Sequence, residues 1–154
     1  MSQNLLHNIY LFKGLDEAEL TQISEIAEKE SFAAGDDVFS EKDPAKALYV
    51  IQHGSVRIHQ KSDSGENIEV ATLGTGSHFG EMAFVDGEQR SASATAIERA
   101  EVVYLTYEKL SALLETNEKI AVHFYKELAR FLCGRLRVTT NDLSFAREKN
   151  LSHF

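Results

Sequence analysis

Between residues 31 and 106 the chain is divided into short apolar segments by turn residues, and this division restricts its fold more than any other feature. The longest uninterrupted apolar run in this zone, residues 47–51, has five residues. Turn signals recur between such segments, at Gly35-Asp36-Asp37, Asp63-Ser64-Gly65-Glu66 and Gly74-Thr75-Gly76. Many short strands with this punctuation are typical of antiparallel sandwiches and barrels. We therefore predict a mainly β fold, an antiparallel jelly-roll barrel.

Two tight connections are predicted inside this zone. His53-Gly54 separates residues 48–52 from residues 55–60, a pattern that predicts a hairpin between two paired strands. In the second segment, Val56-Arg57-Ile58-His59 alternates apolar and polar residues, as a half-buried strand does. The turn at residues 63–66 follows, and a closing strand is expected over residues 102–105.

Helical patterns lie on both sides of the strand zone. Asp16 and Glu19 are spaced as a capping box ahead of an apolar stripe, and a shorter apolar segment over residues 5–12 precedes them. After the strands, residues 107–114 predict a short helix, and Asn117 is a candidate N-cap for a long helix over residues 118–147. We predict one domain over residues 1–154, with a helical lead-in at 4–30, the barrel at 31–106 and C-terminal helices at 107–150.

Charge and composition exclude several classes of partner. The formal net charge of −8 makes DNA a poor partner, because DNA binding depends on neutralising phosphates with Lys and Arg. No apolar run approaches the ~20 residues of a membrane helix, and the first residues show no signal-peptide pattern. The single cysteine, Cys133, suits a reducing compartment, so a cytoplasmic protein without a membrane partner is expected.

The segment over residues 79–96 concentrates the residues that can recognise a small anion. Gly80 permits a close backbone approach, and residues 81–84 are predicted to form a helical turn with free N–H groups. A turn at Asp86-Gly87 returns the chain, so that Arg90 can approach the same anion from the other side. A carboxylate, a guanidinium and backbone donors together can recognise a ribose hydroxyl and a phosphate.

This segment resembles the phosphate-binding cassette of cyclic-nucleotide-binding domains, as found in the protein kinase A regulatory subunit and the catabolite activator protein. The matching residues are Phe79-Gly80-Glu81, the apolar triplet that follows, and Arg90 with the small residues after it. Residues 35–39 and 47–57 are similar to barrel strands of the same family. Lys42 departs from the pattern where many members carry Gly, and Gln89 departs where the kinase subunit carries Pro.

The resemblance implies a role for each cassette position. Glu81 is expected to accept from the ribose 2′-hydroxyl, and Arg90 to pair with the exocyclic oxygens of the cyclic phosphate. The predicted ligand-binding set in the cassette is Gly80, Glu81, Met82, Ala83, Arg90 and Ser91. These residues imply a receptor domain with no catalytic residue, no metal and no cofactor other than its cyclic-nucleotide ligand.

The long helix is similar to the dimerisation helix of the catabolite activator protein, in which a Thr-Ser pair contacts adenine. Thr139 and Thr140 occupy those positions, so cAMP is predicted as the preferred ligand, with cGMP as the alternative. Apolar residues at alternating steps of four and three predict a homodimer seam, at Tyr125, Ala129, Leu132, Leu136, Thr139, Leu143 and Ala146. A second face, expected to pack on the barrel, comprises Phe124, Leu128, Phe131 and Val138. The alternative is a helix docked entirely on its own domain.

Other site types find less support in the sequence. His53, His59 and His78 lack the His-x-His spacing of a cupin metal site and are expected to be surface or turn residues. Two other interpretations of the chain remain: a cAMP-responsive transcription regulator cut short before its helix-turn-helix, and an interaction module of the same fold with a silent pocket. The effector on which the domain would act is not indicated by any motif.

Overall fold

The computed structural model describes residue 6 and residues 9–151, and the side chains of these residues up to 149. Within them, eight strands form two antiparallel four-stranded sheets. The strands are β1 (Glu28–Phe32), β2 (Asp37–Phe39), β3 (Ala47–His53), β4 (Val56–Lys61), β5 (Asn67–Leu73), β6 (His78–Phe79), β7 (Ser93–Ala96) and β8 (Ala100–Thr106). Sheet A has the order β1-β8-β3-β6 and sheet B the order β2-β7-β4-β5. The predicted mainly β jelly roll is confirmed, although the two sheets stay open at their edges.

The strand zone begins earlier than the sequence indicated. β1 starts at Glu28, inside the segment assigned to the helical lead-in, and pairs with β8 along its whole length. Its first four residues, Glu28-Lys29-Glu30-Ser31, are all polar and exposed. An edge strand of this kind has no apolar alternation, so the periodicity could not reveal it.

The hairpin predicted at His53-Gly54 is wrong, because β3 lies in sheet A and β4 in sheet B. The connection is a corner between sheets, and Gly54 adopts a φ of 99° there. A Cβ at this position would lie 2.4 Å from the Arg99 carbonyl oxygen and 2.8 Å from Ala100 Cα. The second predicted turn is confirmed: it joins β4 to β5, and Lys61 pairs with Asn67 beside it.

Four α-helices and one short 3-10 helix lie outside the sheets in the described chain. The 3-10 helix covers Tyr10–Phe12, α1 covers Glu17–Ile26, α2 covers Met82–Asp86, α3 covers Tyr107–Thr116 and α4 covers Glu118–Leu151. The capping box is confirmed, since Asp16 Oδ1 accepts from Glu19 N at 2.8 Å and Asp16 N donates to Glu19 Oε1 at 3.0 Å. The predicted N-cap of α4 is also confirmed, with Asn117 Oδ1 accepting from Ile120 N at 3.2 Å. The predicted apolar segment over residues 5–12 lies partly outside the described residues.

Two apolar clusters lie on the two faces of sheet A. The cluster between the sheets contains Ile51, Val56, Phe79, Ala94, Ala96 and Ala100. The larger cluster lies under the helices and joins Leu48, Val50 and Leu105 of sheet A to buried helical residues such as Phe12, Leu20, Leu110, Phe124 and Leu128. Strand β3 therefore contributes alternate residues to both clusters, which explains why its sequence is an almost continuous apolar run.

Only the first half of α4 packs on this body. Phe124 and Leu128 are fully buried, and Phe131 is half-buried, as predicted for the barrel-facing side. Val138 was predicted on the same side but is 59% exposed, because the helix has left the domain surface by that point. Every described side chain after Leu132 is exposed. Within the described residues, no helix is long and apolar enough to span a bilayer.

Candidate functional site

A cavity of about 180 Å³ opens between sheet B, the segment around α2 and the first half of α4. Sheet B contributes an apolar wall of Ile58, Ala71 and Leu73. The opposite wall comes from residues 78–83 and 88–92, and the side nearest the long helix from Phe131, Leu132 and Arg135. Three of the four buried polar or charged residues of the described chain, His78, Glu81 and Arg90, line this one cavity.

Gly80 brings the backbone against the arginine side chain. It has a φ of +82°, and a Cβ there would lie 2.8 Å from Arg90 Nη1 and 3.1 Å from the Ala47 carbonyl oxygen. A side chain at residue 80 would therefore strain the backbone and displace the guanidinium. The close approach predicted for this glycine is present.

Helix α2 follows immediately and presents its first amides to the cavity. Glu81 is the N-cap residue, and Gly87 ends the helix with a φ of 71° in the left-handed region. Met82 and Ala83 both line the cavity, and as the first residues of a helix they have no intrahelical acceptors for their N–H groups. The helical turn predicted over residues 81–84 is thus observed, and the turn at Asp86-Gly87 lies at its end.

Arg90 is held by its backbone and by its side chain. Its N–H donates to Asp43 O at 2.9 Å, and its carbonyl accepts from Lys42 N at 2.8 Å. Lys42 has a φ of 72°, the backbone region that favours glycine, and this is the position where the family pattern carries Gly. On the side chain, Nη2 donates to Ala47 O at 2.6 Å, while Nη1 donates to Gly80 O and to the Tyr107 hydroxyl, both at 3.1 Å.

The guanidinium of Arg90 has no ionic partner in the described part of the chain. Arg90 is 6% exposed, and its hydrogen-bond acceptors are neutral. Its Cζ lies 4.0 Å from the centroid of the Phe39 ring, and its Nε is buried without a hydrogen-bond acceptor. A buried positive charge without a counter-charge is costly unless an anion completes it. The Nε–H of Arg90 is therefore a candidate donor to an anionic ligand.

Two tyrosines beside Arg90 are affected by the same burial. Burial raises the pKa of Tyr49 and Tyr107, and the positive charge of Arg90 opposes the rise in both cases. The Tyr107 hydroxyl donates to the carbonyl of Gly80 and also accepts from Arg90. Both phenols therefore stay neutral near pH 7, and they leave the guanidinium charge uncompensated.

Glu81 lines the same cavity as Arg90 and is 7% exposed. Its Oε2 is buried without a hydrogen-bond donor, and the nearest charged or titratable partner is His78 Nδ1 at 3.5 Å. The carboxylate is thus free to accept a hydroxyl from a ligand. Buried acceptors of this kind are paired in most proteins, so an unpaired one in a cavity indicates a binding site.

The structure brings together the six cassette residues singled out in the sequence but not the two threonines. Gly80, Glu81, Met82, Ala83, Arg90 and Ser91 all line the cavity. Thr139 and Thr140 are exposed on α4 beyond the cavity, and the Thr140 hydroxyl donates to Leu136 O at 2.8 Å. Within one chain they do not reach the site.

Sequence reasoning missed the apolar wall and one buried histidine. Ile58 was recognised only as a strand residue, and Leu73 was not singled out, because no local pattern marks which strand face lines a cavity. Arg135 could have been found, because it is four residues from Phe131 on the same helix face. The expectation of a surface or turn position is wrong for His78, which is 5% exposed, although His53 is exposed. Within the described residues, no three His, Cys, Asp or Glu side chains are arranged to hold a metal ion.

Residues 29–117 match the family model of the cyclic nucleotide-binding domain, which is more than half of the chain. The chain belongs to the cyclic nucleotide-binding domain family. The matched region includes both sheets and the cassette, so the family assignment and the cavity concern the same part of the molecule.

Relatives of this cyclic nucleotide-binding domain include a cyclic AMP receptor protein and a cGMP-dependent protein kinase. The chain is 33% identical over 143 residues to a cyclic AMP receptor protein of Thermus thermophilus, covering 91% of this chain and 64% of that protein. It is 33% identical over 98 residues to a cGMP-dependent protein kinase of Drosophila melanogaster, covering 62% of this chain and 13% of the kinase. The crystal structure of the Thermus thermophilus catabolite activator protein superimposes with a TM-score of 0.79 at 32% identity, covering 88% of this chain and 62% of that one. The chain thus spans less than two thirds of these proteins.

Proposed function

We propose that the chain is a non-catalytic receptor domain that binds a 3′,5′-cyclic nucleotide, preferably cAMP, and signals through α4. The observation that carries this proposal is Arg90, a buried guanidinium without an ionic partner, at the wall of a partly apolar cavity. In a protein of net charge −8, long-range attraction does not recruit anions, so a local cationic site of this kind implies a specific anionic ligand.

The Arg90 guanidinium has N–H groups that make no hydrogen bond within the chain. A guanidinium has five N–H groups, and three hydrogen bonds to Ala47, Gly80 and Tyr107 use three of them. The Nε–H and one Nη2–H remain. Two N–H groups on neighbouring nitrogens suit two oxygens of one phosphate, the bidentate arrangement that arginine favours. The amides of Met82 and Ala83 and the Ser91 hydroxyl can complete the phosphate contacts.

Glu81 is proposed to accept from the ribose 2′-hydroxyl. In a 3′,5′-cyclic nucleotide this hydroxyl is the only free one on the ring, so a single carboxylate can recognise it. The buried position of Glu81 and its unpaired Oε2 support this role. A nucleotide that lacks this hydroxyl leaves the carboxylate unpaired, which costs more than a missing surface contact.

The preference for cAMP rests on a second copy of the chain. Thr139 lies one heptad after Leu132, which lines the cavity, and both were assigned to a dimer seam. We propose that two α4 helices pair along this seam, so that Thr139 and Thr140 contribute hydroxyls to the adenine. The exposed apolar residues Leu136 and Leu143 on the same half of α4 support a partner helix there.

The position of Arg135 makes cGMP the second candidate ligand. Arg135 lines the cavity from α4. Guanine presents two acceptors on one edge, O6 and N7, which match an arginine fork, whereas adenine presents one acceptor and one amino group there. An Arg135→Ala variant should therefore weaken cGMP binding more than cAMP binding, and a titration with both nucleotides measures the difference.

Signalling through α4 follows from the composition of the cavity wall. Phe131, Leu132 and Arg135 of α4 line the cavity, so a bound nucleotide contacts both the barrel and the helix. A ligand shifts the position of a helix only by binding one arrangement better than another. A ligand that contacts both elements meets this condition.

The Arg90→Ala variant tests the proposal. Removing the guanidinium should cost about 2–5 kcal/mol of binding free energy, because the phosphate would be buried without its counter-charge. This corresponds to a loss of affinity of roughly 30-fold to several thousand-fold, measured by calorimetry with cAMP and cGMP. The control is Arg99→Ala, which removes the same charge from an exposed loop outside the cavity.

The parent protein must respond to nucleotide in the same experiment. A ligand at 100 times its dissociation constant should add about 2.7 kcal/mol to the free energy of unfolding, visible as a thermal shift. A parent that shows no shift with either nucleotide would contradict the proposal and leave the silent-pocket interpretation. Equal affinities of Arg90→Ala and the parent would refute the assigned site.

A further inference from the structure

His78 occupies an unusual position between the cassette and the long helix. It is 5% exposed, and its ring centroid lies 4.3 Å from that of Phe131 on α4. On its other side, Nδ1 lies 3.5 Å from Glu81 Oε2. One imidazole therefore contacts both the carboxylate assigned to the ribose and the helix assigned to signalling.

Both ring nitrogens of His78 are buried without hydrogen-bond partners in the described residues. The Glu81 Oε2 atom beside them is also unpaired. Each unpaired buried polar group destabilises the folded state. His78 Nδ1 and Glu81 Oε2 are about 0.5 Å too far apart for a good hydrogen bond, so a small movement of the ring would join them. Because the ring packs on Phe131, such a movement also changes the packing of α4 on the cavity.

We propose that His78 is a positioning residue that couples ribose recognition by Glu81 to the position of α4; this rests on the proposed cyclic-nucleotide function. In the bound state the Nδ1–H donates to one carboxylate oxygen of Glu81, and the other oxygen accepts from the ribose hydroxyl. A carboxylate has acceptor sites for both bonds. The ring then takes one fixed position against Phe131, and the helix follows it.

Charged groups share the cavity with His78. From the cassette and the following loop, Glu81, Asp86, Glu88 and Arg90 line the same cavity, and Arg135 lines it from α4. Sheet B contributes apolar residues to the cavity lining. A hydrogen bond from the imidazole N–H to a carboxylate is charge-assisted, and it would fix both the carboxylate and the ring.

The first test removes the nitrogens and keeps a ring. His78→Phe should bind cAMP about tenfold more weakly than the parent, the loss expected for one charge-assisted hydrogen bond. Its affinity for 2′-deoxy-3′,5′-cyclic AMP should be unchanged. His53→Phe makes the same change at an exposed histidine outside the cavity and should bind cAMP as tightly as the parent.

The second test keeps a donor and removes the ring. In His78→Asn the side-chain amide nitrogen takes the place of Nδ1, so the preference for cAMP over the 2′-deoxy nucleotide should be retained. The contact with Phe131 is lost. A fluorescent probe on Cys133, the single cysteine and an exposed residue of α4, should respond to cAMP in the parent and respond less in this variant.

The outcomes separate this inference from the function on which it rests. If the parent binds neither cAMP nor cGMP, the receptor function and the coupling both fail. If the parent binds cAMP through Arg90, but His78→Phe binds cAMP as tightly as the parent, the role of His78 is overturned and the receptor function stands. Thermal unfolding of each variant without nucleotide shows that it is folded, and a folded His78→Asn protein with the full probe response also overturns the coupling.

Discussion

The two halves of α4 have the same secondary structure and opposite environments. In residues 118–132, Ile120, Phe124 and Leu128 are no more than 2% exposed and belong to the core under sheet A. In residues 133–149 every side chain is exposed, including Leu136 at 66% and Phe145 at 67%. One continuous helix thus starts in the domain core and extends out of the domain.

This difference shows where a ligand can act on the helix. The cavity contacts α4 at Phe131, Leu132 and Arg135, which is the point where the buried half ends and the exposed half begins. The signal proposed above would therefore act on α4 at this boundary, next to the core that the buried half helps to form.

The exposed half also needs a source of stability. Most helical stability in proteins comes from the packing of an apolar face. The outer half has apolar residues but no packing partner in the described chain. Its pairing with a second copy, proposed above, would supply the missing contact.

Phe124→Ala should have the largest effect, because it tests the buried half. Phe124 is 0% exposed and packs against Phe12 and Phe84. Replacing it should lower the free energy of unfolding by about 3–5 kcal/mol through lost burial and a cavity, as measured by chemical denaturation. The matched control is Val122→Ala on the same half of α4, where Val122 is 65% exposed and the change should be within about 0.5 kcal/mol. Similar losses in both variants would contradict the division of the helix.

The features predicted correctly from the sequence are mostly local. The Asp16–Glu19 capping box and the Asn117 N-cap each involve residues three positions apart, so the sequence contains the whole interaction. The corner at Gly54 and the exposed position of Val138 depend on residues elsewhere in the chain. Gly54 is required by Arg99 and Ala100, about 45 residues later in sequence, and no local pattern could distinguish this corner from a hairpin.

In the candidate site, too, the features that depend on residues close in sequence were predicted, and those that depend on distant residues were not. The cassette is one continuous segment, so six of the nine residues that line the cavity between residues 80 and 91 could be named in advance. The wall from β4 and β5 comes from strands that any sandwich would contain. His78 was misassigned because its two neighbours, Glu81 and Phe131, lie 3 and 53 residues away, and only the fold brings the second one to the ring.

Leu136→Asp should have an intermediate effect, and it tests the exposed half. Leu136 is 66% exposed in the single chain, so the substitution should change the free energy of unfolding of the monomer by no more than about 0.5 kcal/mol. If α4 pairs with a second copy, the same substitution buries two carboxylates in the seam and should weaken self-association at least about tenfold. Sedimentation over a dilution series measures this, with Arg137→Asp as a neighbour outside the seam. An unchanged dimer would move the interface away from this face.

Gly134→Ala should have the smallest effect on stability, and whether it stabilises or destabilises the protein tests where a partner helix lies. A Cβ on Gly134 would have no atom within 4 Å, and the residue lies inside a continuous helix. Alanine should therefore stabilise the outer half by about 0.5–1 kcal/mol, because glycine loses more backbone entropy on forming a helix. Helix content by circular dichroism and thermal unfolding measure the gain, while cyclic-nucleotide affinity should not change. A loss of stability in the assembled protein would instead mean that a partner backbone passes close to Gly134, where a Cβ no longer fits. In that case the partner helix would pass beside Gly134, close to the cavity, and the dimer contact would be centred there and not on Leu136 and Leu143.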